Sequence, residues 1–312
     1  MYALPSLLIR LAFGLILAPI ALFAQASVYD SVRVADGVYA FIGETGPRTV
    51  ANEGMNANFG LVVTREGALL IDSGSSMQTA RKLHEAVARV TSQPIKWVVN
   101  LGGQGHSWMG NGYFKALGVE IMAHASARSD YEQRGHEHAQ TLQNLIQDQA
   151  QDTQPVLPTR WLTGTDTRFE LGGVTFDFKH RGGAHTPGDM LLWLPQHNVL
   201  FSGNVVFTDR MLDVIAVTNT RRWLDTFAVI DLLAPQTIVP GHGPVCDLAS
   251  ARTHTRDYLV ALREHMKQAI DSGIDISTAS RRFDADRWRH LRLADELLLV
   301  NASNVYLEIE QE

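Results

Sequence analysis

Cysteine is nearly absent from this 312-residue chain: Cys246 is the only one, so no intrachain disulfide can form and no cysteine cluster can hold a metal. A lone cysteine of this kind reads as a small buried hydrophobe. Runs of one charge are also missing. The 27 basic and 33 acidic residues are dispersed and sum to −6, with no basic stripe to follow a phosphate backbone, which argues against a nucleic-acid partner. There are no repeats of fixed period, low-complexity tracts or Pro/Ser-rich linkers, and 45% of the residues are hydrophobic. That composition supports a folded core within one domain, expected over 27–312.

The one long apolar run lies at the start. Leu11 to Phe23 is almost unbroken, follows Arg10 and ends in Ala24-Gln25-Ala26. A basic residue, a short apolar stretch and a small-x-small exit describe a secretory signal peptide over 1–26. The run is short for a permanent span, and Pro19 interrupts it. The expectation is a periplasmic or secreted protein with no stable membrane insertion after cleavage; an uncleaved anchor is the alternative.

Beyond this segment the periodicity alternates between strand and helix. Strands are expected at Val38–Ile42, Asn58–Val63, Ala68–Asp72 and Pro94–Asn100, with a helix over Ser75–Thr91. A helix is expected from near Gly110, and the polar stretch Ser126–Gln151 reads as a surface helix or a loop. Strands return at Phe169–Leu171, Val174–His180, Met190–Leu194 and Val199–Ser202, with Gly172-Gly173 as a hairpin turn. A helix over Arg222–Leu233, a strand at Thr237–Pro240, a long helix from Leu248 to Ser272 and a last helix over Leu291–Glu308 complete the pattern. In that last helix Leu293, Leu297, Val300, Asn304 and Leu307 share a stripe. Two halves that each run β then α fit a layered αββα sandwich.

Short segments at the ends of expected strands carry the polar residues. They are Ile71-Asp72-Ser73-Gly74, Asn100 to Asn111 (NLGGQGHSWMGN), Gly183 to Asp189 (GAHTPGD), Ser202-Gly203-Asn204 and Pro240 to Pro244 (PGHGP). Loops at strand ends can bring such distant side chains together. Trp108 and Trp161 lie near these segments, either at an aromatic mouth or packed in the core.

In order and spacing these five segments resemble the metallo-β-lactamase superfamily. Its members carry an Asp-Ser/Thr-Gly turn, then His-x-His-x-Asp-His, a His before Thr-x-Gly-Asp, a Gly-Asp and a Gly-His-Gly. The resemblance implies an α/β fold, the four-layered αββα metallo-β-lactamase sandwich. It also shows departures. Aligned on Gly110-Asn111, the four positions of the first motif fall on Gly102, Gln104, His106 and Ser107. The bridging Asp becomes Asn204, while His185 and His242 match. The tract Asn-x-Gly-Gly-Gln-x-His followed by Gly-Asn-x-Tyr-Phe is similar to the quinoprotein relay system zinc metallohydrolases, which implies a link to a periplasmic quinoprotein dehydrogenase system.

On this resemblance His106, His185 and His242 are the expected metal ligands, enough for one zinc ion and an activated water. Gln104 is either a weak oxygen ligand or a loop-ordering amide. A neutral Asn204 cannot replace the charge of a bridging carboxylate, so one metal or none is expected. Asp72 and Asp189 occupy catalytic positions, where each orients a ligand or braces a loop. Two functions follow. One is a zinc hydrolase acting on a small ester, thioester or lactone; the other is a non-catalytic binding or accessory protein on the same scaffold. The partner in either case is a small molecule.

Overall fold

The computed structural model describes residues 27–312, so the signal peptide expected over 1–26 lies outside the described residues. Among the described residues no helix is long and apolar enough to cross a membrane.

The chain opens with strands β1 (Ser31–Ala35), β2 (Val38–Phe41), β3 (Phe59–Thr64) and β4 (Gly67–Ile71), then helix α1 (Met77–Val90) and strand β5 (Ile95–Asn100). Short helices α2 (Gly105–Trp108) and α3 (Asn111–Ala116) lead to β6 (Glu120–His124), α4 (Arg128–Ile146) and β7 (Arg160–Leu162). The second half contains β8 (Asp166–Leu171), β9 (Val174–Lys179), β10 (Leu191–Leu194), β11 (Val199–Phe207), α5 (Thr220–Leu233) and β12 (Thr237–His242). Helices α6 (Leu248–Ala251), α7 (Asp257–Asp271), α8 (Ile276–Arg282) and α9 (Ala294–Glu310) end the chain.

Strands β1 to β7 form one sheet in sequence order, antiparallel through β4 and parallel from β4 to β7. The other sheet runs β12-β11-β10-β9-β8, parallel only between β11 and β12. Period-two alternation sorts each strand between two cores. Leu69 and Ile71 of β4 face inward, where they share a core with Phe176, Leu192, Phe201 and Val239 of the other sheet. Ala68 and Leu70 face outward onto Leu83 and Val87 of α1 and Phe114 of α3. On the far side Leu200 and Val205 of β11 pack under Trp223 and Phe227 of α5 and Leu259 and Leu262 of α7. Helix, sheet, sheet, helix is the four-layered sandwich expected.

The Gly172-Gly173 hairpin is present: both glycines have positive φ, 53° and 87°, and Leu171 faces Val174 across the turn. The polar stretch after Ser126 is a helix, and Asp130, Tyr131, Gly135, Leu142 and Ile146 supply its buried face. The expected helix from Leu248 is interrupted by a π-helical segment over Arg252–Arg256. Strands β1, β6 and β7 were not expected. In α9 the stripe through Val300 and Leu307 is exposed, at 51% and 45%, while Asn301, Ala302, Val305 and Tyr306 are buried. Apolar residues surround this helix, so its spacing did not reveal which face docks. Cys246 is partly buried in an isolated backbone bridge with Ile238, and burial pushes its thiol up to about 12. Burial keeps it unreactive.

One side chain joins the two sheets at the end where the candidate segments gather. Asn58 accepts from Gly43 N–H at 3.0 Å through Oδ1 and donates through Nδ2 to the carbonyls of Pro240 at 2.8 Å and Gly243 at 2.7 Å. Asn58→Ala strands these buried groups at about 1–3 kcal/mol each. The expected outcome is a two-state urea midpoint well below that of the parent; an unchanged midpoint would show that the seam is carried by packing alone.

Candidate functional site

The loop after β5 is closed by a reciprocal amide pair. Asn100 Nδ2 donates to Asn111 Oδ1 at 3.1 Å, and Asn111 Nδ2 donates to Asn100 Oδ1 at 2.9 Å. The turn after β4 holds the same loop from below. There Asp72 has φ of 63°, a left-handed conformation that Asp tolerates, and its Oδ1 accepts from Leu101 N–H at 2.8 Å. The turn and the loop touch at Gly110, where an added Cβ would lie 2.1 Å from the Ser73 carbonyl oxygen. Only glycine permits that approach.

This frame presents Gln104 and His106 to a cavity of about 60 Å³. His185 enters from the loop between β9 and β10, Asn204 from within β11 and His242 from the end of β12. The three expected histidines, Gln104 and Asn204 therefore meet in one place. His106 and His242 stand perpendicular with ring centroids 5.1 Å apart, and His242 stacks on Phe207 at 4.8 Å. His242 Nδ1 is 2.8 Å from the Asn56 carbonyl oxygen, so Nδ1 carries the hydrogen. His185 Nε2 lies 2.6 Å from the Gln104 amide nitrogen and 3.8 Å from Asp213 Oδ1. Burial holds His106 and His242 well below the usual imidazole range, and the charge of Arg210 lowers both further, with Arg48 adding to the shift at His106. Both are neutral at neutral pH.

Four lining residues belong to no segment singled out in the sequence: Arg48, Asn56, Arg210 and Asp213. Arg48 and Asn56 lie between β2 and β3, and Arg210 and Asp213 follow β11. Their only sequence signal is the placement of charge just beyond strands. Arg210 is buried and donates through Nη1 to the Gly46 carbonyl at 3.1 Å, while its Nε has no partner. Asp213 is the sole carboxylate lining the cavity.

Asp72 and Asp189, expected at catalytic positions, do not line the cavity. The left-handed turn at Asp72 directs its carboxylate onto the Leu101 amide. Asp189 accepts from Thr186 N–H at 2.7 Å and from the Thr186 hydroxyl, which in turn accepts from Gly103 N–H at 2.9 Å. Both are positioning residues. Trp108 is fully buried and stacks on Tyr131 with centroids 4.1 Å apart, so it belongs to the core rather than to a mouth. Trp161 is half-buried beneath the Arg128 guanidinium, 4.7 Å above its ring.

The donor set does not fit the zinc centre that the resemblance implies. Among the described residues no three His, Cys, Asp or Glu side chains converge closely enough to hold one ion. The Gln104 amide occupies the metal-facing nitrogen of His185 whichever way it is flipped. At Gly102, where the superfamily has a histidine, an added Cβ would lie 2.5 Å from Asp189 Oδ1. Two guanidinium groups against one carboxylate repel a dication. Gly102→Ala should cost about 1–3 kcal/mol through overpacking against the Asp189 carboxylate. Chemical denaturation checks this, and an undiminished stability would mean that the loop yields.

Burial pushes Asp72 up to about 8 and Asp189 up to about 6. A carboxyl with a raised folded pKa contributes stability that is complete below its unfolded value and is lost as pH rises through the folded one. For Asp72 that window runs from 3.8 to about 8. Asp72→Asn keeps an oxygen for Leu101 N–H and removes the ionisation. Its stability relative to the parent should rise steadily across the window in urea titrations, and a pH-independent difference would contradict the buried-acid reading.

Comparison with known proteins agrees with this architecture. The sequence model described as the metallo-beta-lactamase superfamily matches residues 109–242. The metallo-beta-lactamase type 2 of Bacteroides fragilis is 23% identical over 271 residues, covering 83% of this chain and 94% of the relative. Among solved structures, a stereoselective inverting sec-alkylsulfatase from Pseudomonas sp. is similar with a TM-score of 0.70 at 18% identity, over 89% of this chain and 49% of the sulfatase. The chain thus spans about half the length of that sulfatase. The metallo-beta-lactamase from Pontibacter korlensis is similar with a TM-score of 0.60 at 20% identity, over 74% of this chain and 98% of that enzyme. These likenesses establish that the chain has the metallo-β-lactamase fold.

Proposed function

We propose that the protein is an exported binding or accessory protein on the metallo-β-lactamase scaffold, in which the hydrolytic zinc centre has become a small polar pocket for a metal-free ligand. The observation that carries this reading is the exchange of charge in the pocket. Where the superfamily motif has histidine and aspartate ligands, this chain has Gly102, Gln104 and Asn204, and Arg48 and Arg210 line the same cavity. A pocket so charged favours an anion over a dication. Export rests on the signal-peptide pattern of the first 26 residues, and a role beside periplasmic quinoprotein oxidation rests on the tract from Asn100 to Phe114. Fold alone does not dictate activity, so the retained sandwich is compatible with a lost reaction.

One observation favours a mononuclear zinc hydrolase of a small ester, thioester or lactone. The hydrogen bond from His242 Nδ1 to the Asn56 carbonyl fixes the tautomer in the way that metal-binding imidazoles are commonly fixed. With His106 and His185 this would give three nitrogens. The two readings differ in metal content and turnover. The mature chain, purified without chelator and equilibrated with zinc, should retain far less than about one zinc per chain by elemental analysis. It should show no zinc-dependent turnover of a β-lactam, a glutathione thioester, a nitrophenyl ester or an alkyl sulfate. Stoichiometric zinc with zinc-restored hydrolysis would overturn the accessory reading in favour of the hydrolase.

A further inference from the structure

We infer that the cavity is a receptor for a small hydroxycarboxylate monoanion, its carboxylate taken by Arg48 and Arg210 and its hydroxyl by the histidine wall. The inference rests on the metal-free reading above and names its ligand class.

Charge comes first. Arg48 and Arg210 contribute two positive charges to the lining and Asp213 one negative charge, which leaves an excess of one. Among the described residues neither arginine forms an ion pair, whereas several arginines elsewhere in the chain pair with carboxylates. Arg210 is buried, so its charge is poorly solvated and its only hydrogen bond is to the neutral Gly46 carbonyl. Asp213 is the one carboxylate near both guanidinium groups, so one of the two positive charges is left to be offset by a ligand. The planar guanidinium matches a carboxylate in two parallel hydrogen bonds.

Size comes next. Drug-sized ligands occupy pockets of roughly 300–1,000 Å³. At about 60 Å³ this cavity can take up an anion of two or three carbons.

The remaining polar groups of the lining then select within the anions. His242 Nδ1 donates to the Asn56 carbonyl, so Nε2 of the neutral ring is an acceptor. Asp213 adds further acceptor capacity, and its Oδ1 lies 3.8 Å from His185 Nε2. A cavity whose lining holds guanidinium donors together with imidazole and carboxylate acceptors is matched by a carboxylate that also carries a hydroxyl. A simple carboxylate leaves the acceptors without a donor, and a neutral diol leaves the arginines without an anion.

The test uses the full mature chain in chelator at physiological chloride, titrated calorimetrically with glycolate, acetate, methyl sulfate and ethylene glycol. Glycolate should bind one per chain, about tenfold or more tighter than acetate, a ratio that corresponds to about 1.4 kcal/mol for the added hydroxyl contact. Arg48→Gln should weaken glycolate at least about tenfold. Because Arg48 is half-buried and makes no hydrogen bond among the described residues, that variant should fold like the parent, which a thermal melt confirms. Asp213→Asn should tighten acetate and methyl sulfate. Equal affinity for acetate and glycolate would overturn the hydroxyl contact, and equal affinity for ethylene glycol and glycolate would overturn the anion site. Failure of every anion, with zinc also absent, would sink this inference and leave the metal-free reading in place. Anion binding that appears only with stoichiometric zinc would sink both.

Discussion

The site depends on the seam at Asn58. Two sheets packed through an apolar core can slide without a large energetic preference, because hydrophobic contact is non-directional. Hydrogen bonds between buried groups are directional and cost heavily when broken. Asn58 precedes β3 in the first sheet and binds the carbonyls of Pro240 and Gly243 on either side of the β12 end in the second. His242 lies between those two residues, and its ring is bonded to the carbonyl of Asn56, two residues before the seam. The registration of the sheets and the aim of His242 are therefore one constraint. His106 and Gln104 are brought to the same rim by the first sheet, through Asp72 and the Asn100–Asn111 pair.

Within that frame the charge of the pocket and the lack of a converging metal-ligand set among the described residues agree with each other. A dinuclear centre is stable only where carboxylates offset the repulsion between ions. This pocket has Asn204 in the bridging position and no side chain at Gly102, and it adds Arg48 and Arg210. A histidine at position 102 has no room to join the pocket without a shift of the loop. The Asp189 carboxylate stands where a Cβ at position 102 would go, and it is held there by Thr186, which also receives the Gly103 amide. Loop geometry and charge act in the same direction, against a metal ion at this site.

The fold was legible because motif order survives substitution of the motif residues. Asp72, Gly110-Asn111 and Asp189 are largely backbone-positioning groups, and their spacing reflects the strands that carry them. His106, His185 and His242 were legible for the same reason, and the structure brings them to one cavity. Arg48 and Arg210 were not. They project from loops that carry no spacing rule, and the long-range pairing of sheets that unites them has no signature along the chain. The docking face of α9 was hidden by a related limit. A helix with leucines on every side has no periodic contrast, and burial of Asn301 is decided by bonds to the Leu212 carbonyl and the Val214 amide.

Cavity size gives the charge argument its specificity. Two arginines in an open cleft would attract any anion, including substrates of the sulfatase and lactamase relatives. Here Arg210 is fixed to the Gly46 carbonyl, and Asn56 Nδ2 donates to that same oxygen at 3.0 Å. The β2–β3 loop that carries Arg48 is thus tied to the wall that carries Arg210. Displacing that loop would release Gly46 and leave the Arg210 guanidinium without its one hydrogen bond in a buried position. The cost of unpairing a buried charged donor is several times that of a neutral one. The Gly46 carbonyl therefore holds the two arginine-bearing segments in one arrangement beside the pocket.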